Sequence, residues 1–537
     1  MRKSITPIYL IIAVLMTSVP QASAQSWLDY EQVLERYPLL HTGNAASLVT
    51  YAPSDSSQLL LGEARLTAST GQGHFKPLHI APHTWQTRAQ VRSIYRMSRR
   101  VVVRGVMGYS YGWGTDAGGS VWIDPEHMPF DITETSDSTR GDVSLETYWL
   151  NGEVGVDVGH GFGLGAHFGY KTGSGAKKKD PRHTNSLMSA DVSLGAIWQR
   201  SGLTLGACYQ FRRTTEALKF STVGRTDQIY HYLIDHGAMF GRQETTDGNG
   251  YTGSSNERPL LDLRHGVNIQ VAYGYGTTHL GLEGGWMHRH GHYGLESPSM
   301  IDYNRHRGDE WNLGAWWQHE GRTTLQRVTV DWHHQSLDDH ERTYRIITDH
   351  GVTDVNYYDD RLMGTRSDDA IGVNADLQWG VRRLLPTWQV LAGVTHHRRS
   401  VTASVFPYYR QQRTRLTEMS LQGSRHWIME NDHVWSLTLQ GGWATGGGTA
   451  AHDGVYQVPS PDASKPAEHT IYLMRQYEYL TADRLLAGAR LGWSLPIVRR
   501  QARLYLEAEY RYCQAFDITH LEGGCRHTAA LSIGCRF

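Results

Sequence analysis

The chain has 537 residues, with 52 Lys and Arg against 53 Asp and Glu, for a formal charge of −1. That balance excludes a nucleic-acid binder, which needs a marked excess of positive charge. The 57 Gly exclude a coiled coil, and the 29 Tyr and 17 Trp exclude a disordered chain.

Residues 1–24 read as a secretory signal peptide: Arg2 and Lys3, an apolar run over 8–16, then Ala22-Ser23-Ala24. The run is shorter than the roughly 20 apolar residues a membrane helix needs. Gln25, not Cys, follows, so no lipid anchor is expected there. Residues 25–58 form a periplasmic N-terminal segment. Within it, 27–40 has near-helical apolar spacing (Trp27, Leu28, Tyr30, Val33, Leu34, Tyr37) stopped by Pro38. It is either a periplasmic helix or a hatch inside a lumen, and the spacing favours neither.

From residue 59 onward the period is two. Strands are predicted near 59–70, 84–97, 101–113, 145–158, 163–172, 186–198, 203–213, 263–275 and 278–289. They continue near 309–319, 322–333, 371–380, 387–399, 414–428, 434–445, 480–495, 502–513 and 527–537. In 502–512, for example, Ala502, Leu504, Leu506 and Ala508 alternate with Arg503, Tyr505, Glu507 and Glu509. Trp113, Trp198, Trp286, Trp332, Trp379, Trp388, Trp443 and Trp493 stand at strand ends, as interfacial aromatic girdles do. No stretch approaches 18 uninterrupted apolar residues, so an exported chain of this kind spans a membrane only as a closed barrel.

The gaps alternate short and long, the long ones being 114–144, 214–262, 335–370 and 446–479. The expected fold is therefore all-β: a transmembrane antiparallel β-barrel over 59–537 of about 18 strands (16–18). Short periplasmic turns and long external loops place it in the outer membrane of a Gram-negative bacterium. Residues 25–58 and the 214–262 loop are each long enough to plug it. The C-terminal Leu531-Ser532-Ile533-Gly534-Cys535-Arg536-Phe537 resembles the signal read by the barrel-assembly machinery. Outer-membrane lipid is the obvious surrounding, with Lys177-Lys178-Lys179 a weak candidate for lipopolysaccharide phosphate.

The pattern, with Asn44-Ala45-Ala46-Ser47-Leu48 before the first strand and Asp180-Pro181-Arg182 in a loop, resembles an uncharacterised Bacteroidota outer-membrane β-barrel family. The Asn-Ala-Ala segment is also distantly similar to the Asn-Pro-Ala of long-chain fatty-acid transporter barrels. Ala45 stands where that family has proline, and the strand count here is higher, so fatty-acid transport is only an analogy.

The rows facing the lumen carry both charge signs: Arg104, Glu153, Asp157, Asp191, Glu283, Arg327, Asp331, Asp376, Arg490, Arg503, Glu507, Glu509 and Arg511. Two readings stand beside each other, a solvated wall whose charges pair across strands and a hydrophilic passage tuned by them. Of the 29 His, 12 lie in 279–397. Ten of those fall near external ends: His288, His290, His292, His306, His333, His334, His340, His350, His396 and His397. On an extended strand His288, His290 and His292 share one face, a weak metal chelate to which His333 and His334 are further candidates. No spacing matches a resident cofactor site, so metal or haem enters only as a possible carried ligand.

No enzyme is expected. Gly108-Tyr109-Ser110-Tyr111-Gly112 matches a nucleophile-elbow pattern but ends a membrane strand. The best rim-enzyme candidate is Asp338-Asp339 with His340, where solvated loop carboxylates are the commoner case. Cys513 and Cys525 flank the last turn and are the disulfide candidate. The expected function is a porin-like channel or uptake protein for small solutes. The alternative is an accessory barrel partnering a surface lipoprotein or a TonB-dependent receptor, with metal or haem acquisition as one such setting.

Overall fold

The computed structural model describes residues 30–52, 59–223, 228–247, 251–252, 257–295, 300–381, 385–497 and 502–537. The signal-peptide reading of 1–24 lies outside these, as do Trp27 and Leu28. The strands in chain order are β1 Leu60–Gly73, β2 His83–Arg96, β3 Val101–Ala117, β4 Gly119–Ser120, β5 Asp131–Glu134, β6 Gly141–Gly159 and β7 Phe162–Lys177. Next come β8 Arg182–Arg200, β9 Leu203–Ser221, β10 Tyr230–Asp235, β11 Gly241–Thr246, β12 Arg258–Tyr275, β13 Thr278–Gly294 and β14 Asp302–Glu320. The rest are β15 Thr324–Asp349, β16 Val352–Trp379, β17 Trp388–Val405, β18 Tyr408–Ile428, β19 Val434–Val455, β20 Arg484–Ile497, β21 Ala502–Ala515 and β22 Cys525–Arg536.

Eighteen of these form one antiparallel sheet, each strand beside its sequence neighbour in it. Pairing of β1 with β22 closes the sheet into a barrel with no free edge. At the seam Gly62 and the C-terminal Phe537 exchange main-chain hydrogen bonds of 2.7 and 3.0 Å. On the outside, rows such as Val192 and Leu194, Leu280 and Leu282, and Leu313 and Trp311 are exposed apolar side chains. These rows are what a bilayer covers. Among the described residues no helix is long and apolar enough to cross a membrane.

Every one of the 18 predicted strands lies at a barrel strand, and the periplasmic ends agree within a few residues. The outer ends do not. The loop expected over 335–370 is a hairpin: β15 and β16 stay paired to Asp349 opposite Val352. Likewise β9 runs to Ser221 and β19 to Val455, shortening the expected 214–262 and 446–479 loops. The cause is solvent. An apolar outer row is required only across the bilayer, roughly ten residues of a tilted strand. Above it both faces meet water, and the ladder continues without the alternation that revealed it.

Among the described residues two short helices stand apart from the sheet, α1 Tyr30–Glu35 and α2 Thr470–Thr481. Of the helix expected over 27–40, α1 is the described α-helical part, followed by a 3-10 turn at Pro38–His41. Among the described residues four strands lie outside the barrel sheet and make a small antiparallel sheet in the order β11-β10-β5-β4.

Candidate functional site

Strand register assigns each charged candidate to a side. In every barrel strand the exposed apolar row marks the outside, and the alternate row faces in. Arg104, Glu153, Asp157, Asp191, Glu283, Arg327, Asp331, Asp376, Arg490, Arg503, Glu507, Glu509 and Arg511 all have the inward parity. The inside is not an empty bore. Two inserts occupy it, one from each end.

The lower insert is residues 30–52. Its apolar side, Tyr30, Val33, Leu34, Leu40, Leu48 and Tyr51, packs on Leu61, Ile94 and Val102 of β1, β2 and β3. Charged wall residues bind its main chain and its ends. Arg104 donates to the Leu40 carbonyl at 2.7 Å and Arg327 to the Glu35 carbonyl at 2.9 Å. Glu283 accepts from the Gly43 N–H at 3.2 Å. Arg92 pairs with Glu31 of the insert and with Glu63 of the wall.

The 3-10 turn Ala45–Thr50 sits on a seat of glycines. A Cβ built on Gly165 would collide with the backbone of Ala45 and Ala46, and one on Gly195 with the Asn44 carboxamide. One on Gly155 would stand 2.8 Å from the Leu48 Cβ. Asn44 is buried and fully used. Its Nδ2 donates to the Ala196 and Ala207 carbonyls at 3.2 and 3.3 Å, and its Oδ1 accepts from Ala46 N–H at 3.0 Å, capping the turn.

The upper insert is the four-stranded sheet. Val121, Trp122, Met128, Phe130, Ile132, Tyr230, Tyr232 and Ile234 pack against Leu218, Phe220, Leu260 and Tyr293 on the inner wall. Lys177 of β7 meets Glu134 of β5 at 2.6 Å, and both are almost fully buried. Asp339 of β15 meets His236 at 2.5 Å, also buried. Asp339 therefore holds the insert, and Asp338-Asp339-His340 is strand rather than a solvated rim loop. Arg289 and Arg366 donate to the carbonyls of His127 and Met128. Burial pushes the Glu134 carboxyl up against the opposing pull of Lys177, and pushes that of Asp131 up to about 7.

The other charged candidates sort by partner. Arg104 and Glu153 pair at 2.6 Å, and His167 bridges Glu153 (3.5 Å) to Asp191 (3.3 Å). Glu507 meets Arg65 at 2.9 Å. Glu509 meets Arg490 at 3.1 Å and also pairs with Arg511. Arg327 reaches Asp376 at 3.9 Å, and Arg503 donates to Ser494 Oγ at 3.0 Å. Asp157 accepts from the Gly159 N–H at 2.8 Å, while Asp331 stands exposed to the lumen.

The metal reading is corrected. His288, His290 and His292 do share a face, but it is the outer one, on the same row as Leu280 and Leu282. His288 pairs with Asp309 at 3.1 Å, and stacks on His290 with centroids 5.7 Å apart. His333 and His334 are successive and point to opposite faces, toward Asn312 and Asp369 respectively. Among the described residues no three His, Cys, Asp or Glu groups converge as a metal site. The disulfide is corrected too. Cys525 lies opposite Gln514, not Cys513, so the two thiols leave opposite faces of the sheet. All four cysteines are free.

A family model described as "Family of unknown function (DUF6850)" matches residues 53–537. The chain belongs to this family. Solved structures with a similar fold include the ferric preacinetobactin receptor BauA of Acinetobacter baumannii, at 8% identity over 89% of this chain and 80% of that one, TM-score 0.39. The outer-membrane transporter YddB of Escherichia coli matches at 8% identity over 88% and 81%, TM-score 0.38. The ferric-catecholate import receptor Fiu of E. coli K12 matches at 10% over 90% and 82%, TM-score 0.38. No curated protein matches the chain. The closed antiparallel barrel with its exposed apolar outer rows is itself the architecture of a Gram-negative outer-membrane protein.

Sequence reasoning missed most residues that seat the inserts: Gly155, Gly165 and Gly195, Lys177 with Glu134, and His236 with Asp339. One signal was available. Glycines at alternate positions of β7, Gly163 and Gly165, remove side chains from one inward row, which marks a close backbone approach.

Proposed function

We propose that this barrel is a passage for small solutes across the outer membrane, closed at rest by its two inserts. The observation that carries this reading is how the lower insert is held. It is seated on glycines through hydrogen bonds and buried side chains, with the seat lying on the inner wall at the periplasmic end. Such a segment can leave without breaking any barrel pairing. Space remains around it: a cavity of about 730 Å³ lies between Arg36–Leu39 and the wall at Gly202, Ala272 and Trp316. A second of about 600 Å³ lies beside Glu35, Arg327 and Asp376.

Single-channel recording of the purified full chain in planar bilayers tests this. Discrete openings are expected, and more of them when residues 25–58 are deleted. Silence at every voltage, with and without the segment, refutes it. A second reading, the accessory barrel that docks a surface lipoprotein or TonB-dependent receptor, is favoured by the β15–β16 hairpin. Beyond the bilayer it presents exposed Ile346, Ile347, Tyr358 and Leu362, side chains apt for a protein partner. Silence together with loss of a co-purifying subunit on trimming this hairpin supports that reading.

A further inference from the structure

The charges that face water between the inserts are not balanced. Most inward carboxylates are consumed. Glu63, Glu216, Asp262 and Asp376 are buried, and Glu153, Glu507 and Glu509 are engaged by arginines. Three inward bases are different. Arg88, Lys171 and Arg212 are exposed to the lumen, and among the described residues none makes a salt bridge, although Arg212 lies opposite Asp191 in register.

They also share a level. Arg88 lies eight residues above the Arg96 end of β2, Lys171 nine above the Phe162 end of β7, and Arg212 nine above the Leu203 end of β9. The lower insert touches the same arc of wall below them, at Gly155, Gly165 and Gly195. The upper insert touches it above, at Lys177, Asn185 and Glu216. Trp149 ties the strip together. The Arg88 guanidinium lies over its ring at 4.6 Å, and Lys171 is its register partner on β7. A chamber of about 200 Å³ opens beside Arg212, between Thr42-Gly43 of the lower insert and Gln210, and the Glu153–His167–Asp191 chain also lines it.

Beside the strip, Asp191 is the register partner of Arg212, but it and Glu153 are both held by His167, and Glu153 also by Arg104. The exposed acid outside such pairs lies across the barrel. Asp331 of β15 is exposed, unpaired among the described residues, and seven residues above Thr324, on a strand near the far side from β3 in the eighteen-strand order. A narrow lumen with low-dielectric walls concentrates the field of such a strip. At physiological salt the screening length is about 8 Å, so the strip acts on solutes that pass close along this arc of wall.

We propose that Arg88, Lys171 and Arg212 make the passage selective for anionic solutes, attracting them to the arc from β2 to β9 on their way between the inserts. This rests on the solute-passage reading, and the test separates the two. Reversal potentials are measured in planar bilayers under a tenfold KCl gradient, for the full chain and for Gly165→Val, which puts a side chain into the seat of the lower insert. Chloride is expected to permeate several-fold better than potassium. Lys171→Gln with Arg212→Gln is expected to bring the ratio to about one, and Lys171→Glu with Arg212→Glu to reverse it. Because these side chains are exposed and make no salt bridge among the described residues, folding should persist, as a heat-modifiable gel shift would show. Current that prefers potassium, or a chloride preference untouched by the double variants, overturns this inference and leaves the passage standing. No current in either chain overturns both.

Discussion

Gly165→Val is the most informative perturbation of the lower insert. Gly165 is the point where the Ala45–Ala46 backbone lies directly on β7, and any Cβ there occupies the space of that backbone. Valine is a good strand former, so β7 keeps its pairing with β6 and β8 and the strain falls on the insert. Overpacking of this kind costs about 1–3 kcal/mol. If the segment escapes by lifting away, it also gives up the two Asn44 hydrogen bonds to the wall carbonyls of Ala196 and Ala207, each contributing about 0.5–1.5 kcal/mol net. The substitution removes part of that stabilisation from the seated state alone. At about 1.4 kcal/mol per factor of ten, 1–3 kcal/mol raises the unseated population about 5- to 150-fold. The assay is open probability in a planar bilayer, with Gly152→Val as control, since a Cβ at Gly152 meets nothing within 4 Å. A folded Gly165→Val barrel whose open probability equals that of the control refutes the seat as the closing contact.

The upper insert makes its own predictions. Lys177→Met leaves Glu134 buried without its partner, which typically costs about 3–5 kcal/mol, so the segment around residues 118–140 should become sensitive to protease. Adding Glu134→Leu should restore most of the protection, and equal protection in all three chains would remove the pair from the account. The pH dependence follows from Asp131, whose carboxyl burial raises to about 7 from an ordinary value near 4. The folded insert then holds a proton that the undocked chain releases, so docking is firmest in acid and weakens as pH rises toward and through 7. Hydrogen exchange of the β5 and β10 amides, corrected for intrinsic rate, should be slower at pH 5 than at pH 8. Asp131→Asn should reduce the difference, the remainder coming from the buried Glu216, Asp235 and Glu134, whose carboxyls burial also raises. Finally, mass spectrometry of unreduced, alkylated protein should find four labelled thiols, and a Cys513–Cys525 bridge would contradict the β21–β22 register.

What could be read from the chain follows the bilayer. Lipid demands an apolar row wherever it touches a strand, and so the membrane part of each strand, its parity and the side of Arg104 or Glu509 were all legible. Water makes no such demand, and β15 and β16 extend beyond the bilayer on sequences such as Thr343-Tyr344-Arg345 and Asp359-Asp360-Arg361 with no apolar row to betray them. The histidine triplet shows the limit of spacing by itself. Alternation correctly puts His288, His290 and His292 on one face, and only the company of that row, Leu280, Leu282 and Trp286, reveals which face it is. Glu283, with the opposite parity, already pointed the same way.

The filling of the barrel was less legible, because its determinants are local neither in sequence nor in chemistry. Asn44 bonds to the carbonyls of Ala196 and Ala207, groups every residue carries, so no side-chain type on β8 or β9 signals the contact. The seat is defined by missing atoms at Gly155, Gly165 and Gly195, and a glycine in a strand reads equally well as a bend. Yet the segment itself carries a matching sign. Ala45, Ala46 and Ser47 are small and buried, on a turn whose cap is an asparagine. Small residues following a capping asparagine, ahead of a wall with glycines at alternate inward positions, are what two backbones need to touch. The same reasoning explains why the insert is removable: contacts made through main-chain groups and absent side chains hold the segment in place without contributing to the pairing of any strand.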